Sequence, residues 1–360
     1  MKKRFAIMIS VVLVLSALVG CTSGASGEGS SAPDGSAVAA PSSAAPSPTP
    51  QTTPEKVFTL RFSSASTPDA AHSKAMYKIK EVVEASTNGQ IIVDVYLNST
   101  LFAQDAEMEA IMSGDLDMAY ATAQNMSAYV PELSMFTKAY AYKDYAHMEK
   151  VLHGEIGRDL FQQISDTTGL FPLSAYYTGA RHLNLRLDNP VNTPADLSGI
   201  ILRMPNSPDW LFMGEALGAK PTPLAFGEVY TALQTGTIDA QENPLPTDLT
   251  SKFYEVTKQI SLTGHVIDTV WPAINRDKWD ELGPELQAKL MEAINEGRKL
   301  CDETNLQLEK DCISTFESEG LVIVQPDLDA FIKYADEIYL SNERSNDWDM
   351  DLYRKIQDLA

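Results

Sequence analysis

Two arginines in an otherwise acidic chain carry the most readable chemistry. Arg181 ends the stretch Tyr177-Thr178-Gly179-Ala180-Arg181, just beyond an aromatic strand, and Arg203 lies near the end of Ile200-Ile201-Leu202-Arg203-Met204, which Pro205 stops before Asn206. A strand this apolar is buried on both faces, and a proline ends its ladder. A guanidinium at its end needs an anion, because an unpaired buried charge is too costly to keep. The anion is either a protein carboxylate, which makes the arginine structural, or one that a ligand brings. Phe226, Tyr230 and Trp210 are aromatic residues able to wall a small-molecule cleft or simply fill the core.

Other chemistry finds little support. The chain has no G-x-G-x-x-G after a strand, no phosphate loop, no G-x-S-x-G, no C-x-x-C and no H-E-x-x-H. Its five histidines, at 72, 147, 153, 182 and 265, lack metal-ligand spacing, so neither a metal nor a cofactor is expected. Cys301 and Cys312 share a face of a predicted helix but stand about 16 Å apart along its axis, too far for a disulfide. No spacing singles out a pair of carboxylates, so an enzyme is not expected.

The elements that must position these residues follow from the rest of the chain. Its 360 residues include 28 Lys and Arg against 49 Asp and Glu, a formal charge of −21 that disfavours nucleic acid. Residues 1–20 read as a lipoprotein signal peptide, with Lys2, Lys3 and Arg4 before an apolar run that ends in Leu18-Val19-Gly20-Cys21. Cys21 is the expected lipidation site. Residues 21–55 are rich in Ser, Ala and Pro and read as a flexible tether, which places the rest outside the cytoplasm on a membrane anchor.

From residue 56 onward, strand and helix signals alternate, as in an α/β fold. Val57 to Phe62 alternates as a strand, Asp69 to Ser86 has helical spacing, and Ile91 to Leu97 returns as a strand. Later strands are expected at Leu116–Ala121, Leu170–Tyr177, Ile200–Met204, Val256–Thr263, Thr269–Asn275 and Leu321–Val324. Helices are expected at Ala103–Met112, Glu155–Thr168, Pro208–Leu217, Gly227–Gln234 and Pro284–Ser318, with a last one from Leu328. The segment Ala110-Ile111-Met112-Ser113-Gly114-Asp115-Leu116-Asp117 recurs as Ala232-Leu233-Gln234-Thr235-Gly236-Thr237-Ile238-Asp239. Each copy reads as a helix ended by a left-handed glycine and followed by a buried strand. Two similar lobes are the expectation, with Thr122 and Glu242-Asn243 just past strand ends, where open α/β sheets bind ligands.

At these residues the chain resembles the solute-binding proteins of tripartite ATP-independent periplasmic (TRAP) transporters. Gly179-Ala180-Arg181, Pro194 to Asn206, Leu217-Gly218-Ala219, Pro221 to Tyr230 and Ala232 to Pro244 carry the resemblance, which runs from about Val57 to the C-terminal helices. It implies a two-lobed, periplasmic-binding-protein-like α/β fold. The N-lobe would lie mainly in 56–177, the C-lobe mainly in 178–275, and spanning helices in 276–360. It also implies a monomer that closes on a small organic acid and delivers it to membrane permease subunits.

Carried over, Arg203 matches the arginine that grips the ligand carboxylate, Asn243 the asparagine that bonds it, Arg181 a second arginine and Phe226 the packing aromatic. Asn206, Glu242 and His265 match polar groups that support the main arginine. Thr122, Asn125 and Gln104 stand where the sialic-acid-binding branch has charged residues, and His72 offers another polar contact. Uncharged groups there, with Trp210 and Phe226 as flat faces, suit a uronate or aldonate. A C4-dicarboxylate, a keto acid or sialic acid stay open as ligands, as do an extracellular enzyme or a ligand sensor on the same scaffold.

Overall fold

Phe58, Leu60 and Phe62 alternate inward along β1 (Phe58–Ser63), and α1 (Ala71–Ser86) returns over it on a face of Ala75, Met76, Ile79 and Val83. The computed structural model describes residues 56–360; the signal peptide, Cys21 and the tether lie outside the described residues. The chain continues through β2 (Ile91–Tyr96), α2 (Glu107–Ser113), β3 (Met118–Ala121), α3 (Ala123–Met126), α4 (Tyr145–Leu152), α5 (Glu155–Thr168) and β4 (Leu170–Pro172). Then follow β5 (Tyr176–Leu185), β6 (Ile201–Met204), α6 (Pro208–Ala216), β7 (Lys220–Pro223), α7 (Val229–Thr235), β8 (Ala240–Pro244), α8 (Leu245–Thr250) and β9 (Gln259–Asn275). The last elements are α9 (Arg276–Ser318), β10 (Val322–Val324), α10 (Leu328–Ser341) and α11 (Met350–Gln357).

The strands lie in the order β2-β1-β3-β9-β5-β8-β6-β7, with β4 and β10 also on β9. Two halves are recognisable in this order. In one, β1 runs parallel to β2 and β3; in the other, β6 runs parallel to β7 and β8. Each half closes on an antiparallel neighbour, β3 on β9 and β8 on β5. The repeated segments end both α2 and α7 in the same way, with Gly114 at φ 80° and Gly236 at φ 74° in the left-handed region. That conformation costs glycine little and lets the next aliphatic residue enter the core.

Several expected boundaries shift. The two strands expected at Val256–Thr263 and Thr269–Asn275 are one, β9, which passes from β10 and β5 to β3 and β4. Gly264 at φ 55° suggests an interruption, but its N–H donates to His182 Nδ1 at 2.9 Å and the strand carries on through a register shift. Residues 271–275 therefore pair within the first half, although the lobe boundary expected from sequence put them in the second. Arg181 likewise sits inside β5, not beyond it, and Glu242 and Asn243 sit inside β8, not past it. The long helix starts at Arg276, eight residues early, and is broken by Gly283 (φ 71°, ψ 165°) before Pro284 restarts it. It packs on α1, β5, α8 and β10, so it spans both halves. Cys301 and Cys312 are free, buried thiols on this helix.

Candidate functional site

The carboxyl ends of the parallel strands converge on a cleft that is open to solvent at its mouth. Ala65 and Ser66 after β1, His72 in the first turn of α1, Gln104 before α2, and Thr122 with Asn125 at α3 line one side. The other side is Thr178 and Arg181 on β5, Arg203 on β6, then Pro205, Trp210, Phe226, Asn243 and Thr247, with Asp268 and Val270 on β9. An adjoining recess shares Gln104, Asn125, Arg203 and Phe226 with the cleft, and Asn206 lies there at the exposed rim.

Arg203 is 1% exposed, third in a four-residue strand whose other members are Ile201, Leu202 and Met204. Its Nε donates to the Leu224 carbonyl at 2.8 Å, and no carboxylate among the described residues reaches its two terminal nitrogens. Phe226 lies beside it, the ring centroid 5.9 Å from the guanidinium carbon. Burial, aided by the positive charge of Arg181 and partly offset by Glu242, pulls its pKa down to about 9. A buried cation in such a position is short of an anion.

Arg181 is in the opposite condition. Its Nε donates to Glu242 Oε2 at 2.5 Å, Nη1 to Asp268 Oδ2 at 2.7 Å, and Nη2 to Glu242 Oε1 at 2.6 Å and Asn243 Oδ1 at 3.0 Å. Its plane covers the Trp210 ring at 4.5 Å. Trp210, only 3% exposed, thus gives one face to the arginine instead of to the cavity. Glu242 and His265, both fully buried, stand behind the lining residues, with His265 Nε2 3.1 Å from Glu242 Oε2. Burial disfavours the Glu242 charge, yet Arg181 and His265 outweigh it and hold the carboxyl below its ordinary range. The resemblance implied that Glu242 and His265 support Arg203. The contacts differ: they hold Arg181, which stands between them and the cavity.

Two further groups are set by local hydrogen bonds. Thr122 Oγ1 accepts from the Asn125 N–H at 3.2 Å as the cap of α3 and donates to Asn125 Oδ1 at 2.7 Å, which orients both side chains. His72 Nε2 contacts Ser66 Oγ, and burial drops the ring's pKa to about 4, so it is neutral at pH 7. The cavity brings together His72, Gln104, Thr122, Asn125, Arg181, Arg203, Trp210, Phe226 and Asn243 from the sequence reading. Ser66, Thr178, Thr247 and Asp268 line it as well and carried no signal of their own; Thr178 lies inside the very stretch that drew attention to Arg181.

Comparison with known proteins agrees with this architecture. A solved TRAP periplasmic solute-binding protein from Roseobacter denitrificans, with bound 3-deoxy-D-manno-oct-2-ulosonic acid, is 39% identical over 85% of this chain and 100% of its own, with a TM-score of 0.81. The 2,3-diketo-L-gulonate-binding periplasmic protein YiaO of Escherichia coli is 35% identical over 68% of this chain and 75% of its own. The C4-dicarboxylate-binding periplasmic protein DctP of Rhodobacter capsulatus is 32% identical over 66% of this chain and 71% of its own. The sequence profile of the bacterial extracellular solute-binding proteins, family 7, matches residues 62–345. With two α/β halves meeting at a cleft and an anion-seeking arginine in its wall, this chain belongs to that family.

Proposed function

We propose that this protein captures a polyhydroxylated monocarboxylate, such as a uronate or aldonate, and delivers it to the membrane permease subunits of a TRAP transporter. It does so without chemical turnover, as a monomer held at the membrane through lipidated Cys21. The single observation that carries the ligand class is Arg203, a buried guanidinium whose terminal donors have no carboxylate partner among the described residues. A planar guanidinium meets a carboxylate with two parallel N–H groups, each charge-assisted bond worth about 1.5 to 3 kcal/mol. Arg181 already faces two carboxylates, Glu242 and Asp268, and spends most of its N–H groups on them and on Asn243, which leaves Arg203 as the stronger carboxylate site.

The opposite wall supplies Gln104, Thr122, Asn125 and neutral His72, all uncharged, which suits hydroxyls better than a second carboxylate. A ligand held from both sides stabilises the closed arrangement by its differential affinity for it. Calorimetry on the purified protein with glucuronate, gluconate and succinate tests the reading. Arg203→Ala is expected to weaken acid binding at least a hundredfold, and Arg203→Lys to recover little, because it keeps the charge and loses the fork. Near-native affinity in the lysine variant would overturn the bidentate grip, and a clear preference for succinate would overturn the sugar-acid assignment.

A further inference from the structure

The pairing of β5 with β9 breaks register between Tyr177 and Gly179, so Thr178 has no partner on the neighbouring strand, while Gly179 lies opposite Asp268. A bulge of this kind re-aims a side chain. Gly179 permits it: its φ is 121°, and a Cβ there would stand 2.8 Å from Pro244 Cβ. Thr178 lines the cavity with 4% of its surface exposed, and its Oγ1 finds no hydrogen-bond partner among the described residues. A buried hydroxyl left unpaired is destabilising, a deficit that a bound molecule would remove.

Asp268 lines the same cavity, one carboxylate oxygen accepting from Arg181 Nη1 at 2.7 Å and the other without a hydrogen bond from any described residue. That free oxygen is an acceptor only. It welcomes an O–H and repels a carboxylate, whereas Thr178 can both donate and accept. We propose that Thr178 and Asp268 form a hydroxyl-reading pair, in which Asp268 accepts from a ligand hydroxyl, Thr178 bonds that hydroxyl or its neighbour, and the charge of Asp268 excludes a second carboxylate. The pair selects hydroxy acids over dicarboxylates by one attraction and one repulsion. This rests on the reading of the cleft as an acid site gripped by Arg203.

Competition binding of glucuronate and succinate to the full-length chain tests it. Thr178→Val keeps the shape and removes the hydroxyl; it is expected to weaken glucuronate about tenfold and leave succinate within about twofold. Asp268→Asn is expected to narrow the glucuronate-to-succinate affinity ratio at least tenfold, since it removes both the acceptor charge and the repulsion. A merely structural role would weaken both ligands alike, and an unchanged ratio in both variants overturns the pair. Thermal melts establish that each variant is folded, and Thr178→Val, which leaves the Arg181 ion pair intact, carries the test if Asp268→Asn is unstable. Arg203→Ala, measured alongside, separates the two ideas. If it abolishes binding while the ratio is unmoved in the other variants, acid capture stands and the hydroxyl pair falls; if it binds normally, the underlying reading falls.

Discussion

Glu242 sits with no exposed surface between Arg181 and His265, and a charge so placed does more for architecture than for ligand. Glu242→Gln keeps the shape but leaves Arg181 with Asp268 as its only carboxylate. Breaking a buried pair in this way costs about 3 to 5 kcal/mol, and the retained amide oxygen reduces the loss to about 2 to 4. The same change removes a negative charge from beside the incoming acid, so acid affinity should fall less than tenfold, far short of the loss for Arg203→Ala. Chemical denaturation and calorimetry on one preparation check both halves. Abolished binding in a folded Glu242→Gln protein would make Glu242 part of the grip. Arg203 was legible because the signal that marks it is local, a short apolar strand stopped by a proline, although its contacts with Leu224 and Phe226 are not. The duty of Arg181 was not, since Glu242 and Asp268 lie 61 and 87 residues away and nothing in a sequence fixes such pairings.

Elements were readable where their signals were short-ranged. The twin glycine stops at Gly114 and Gly236 do what the repeat implied, and α10 starts at Leu328 as expected. What stayed hidden needed neighbours. Thr263-Gly264-His265 looks like the end of a strand, yet it is a kink within β9 because β5 continues alongside. The same dependence appears where α9 crosses α1. Gly297 is buried there, and a Cβ would meet Tyr176 Oη at 2.8 Å and Ile79 Cγ1 at 2.9 Å. Helix propensity favours every residue except proline over glycine at this position, so packing accounts for the glycine. Gly297→Val should therefore destabilise the fold by about 1 to 3 kcal/mol, the usual cost of overpacking. A urea midpoint equal to or above the parent's would show that the crossing can spread freely.

At the scale of the whole molecule, a formal charge of −21 means that an anion approaches against the far field, and in the proposed reading it meets a favourable charge at Arg203. Salt shortens the repulsion to a Debye length of about 10 Å at 0.1 M and hardly touches the buried contact. The association rate for glucuronate should accordingly rise about two- to fivefold between 20 and 200 mM salt, with a smaller change in dissociation. Stopped-flow tryptophan fluorescence, with Trp210 in the cavity wall, reads it directly. A falling rate would mean that the cleft mouth carries a positive potential of its own.

The passage of β9 through both halves also bears on how the chain comes to be folded at all. Ala119 in β3 pairs with Ala273 in β9, 273 − 119 = 154 residues later, so the sheet begun by the first hundred residues keeps an open edge until that late strand is synthesised. Pairings so distant make folding slow and leave edges and apolar surface exposed meanwhile. For a chain that must be threaded through a membrane, that delay is useful: the early half cannot lock into a finished shape before the strand ending at Asn275, of 360 residues, has been made.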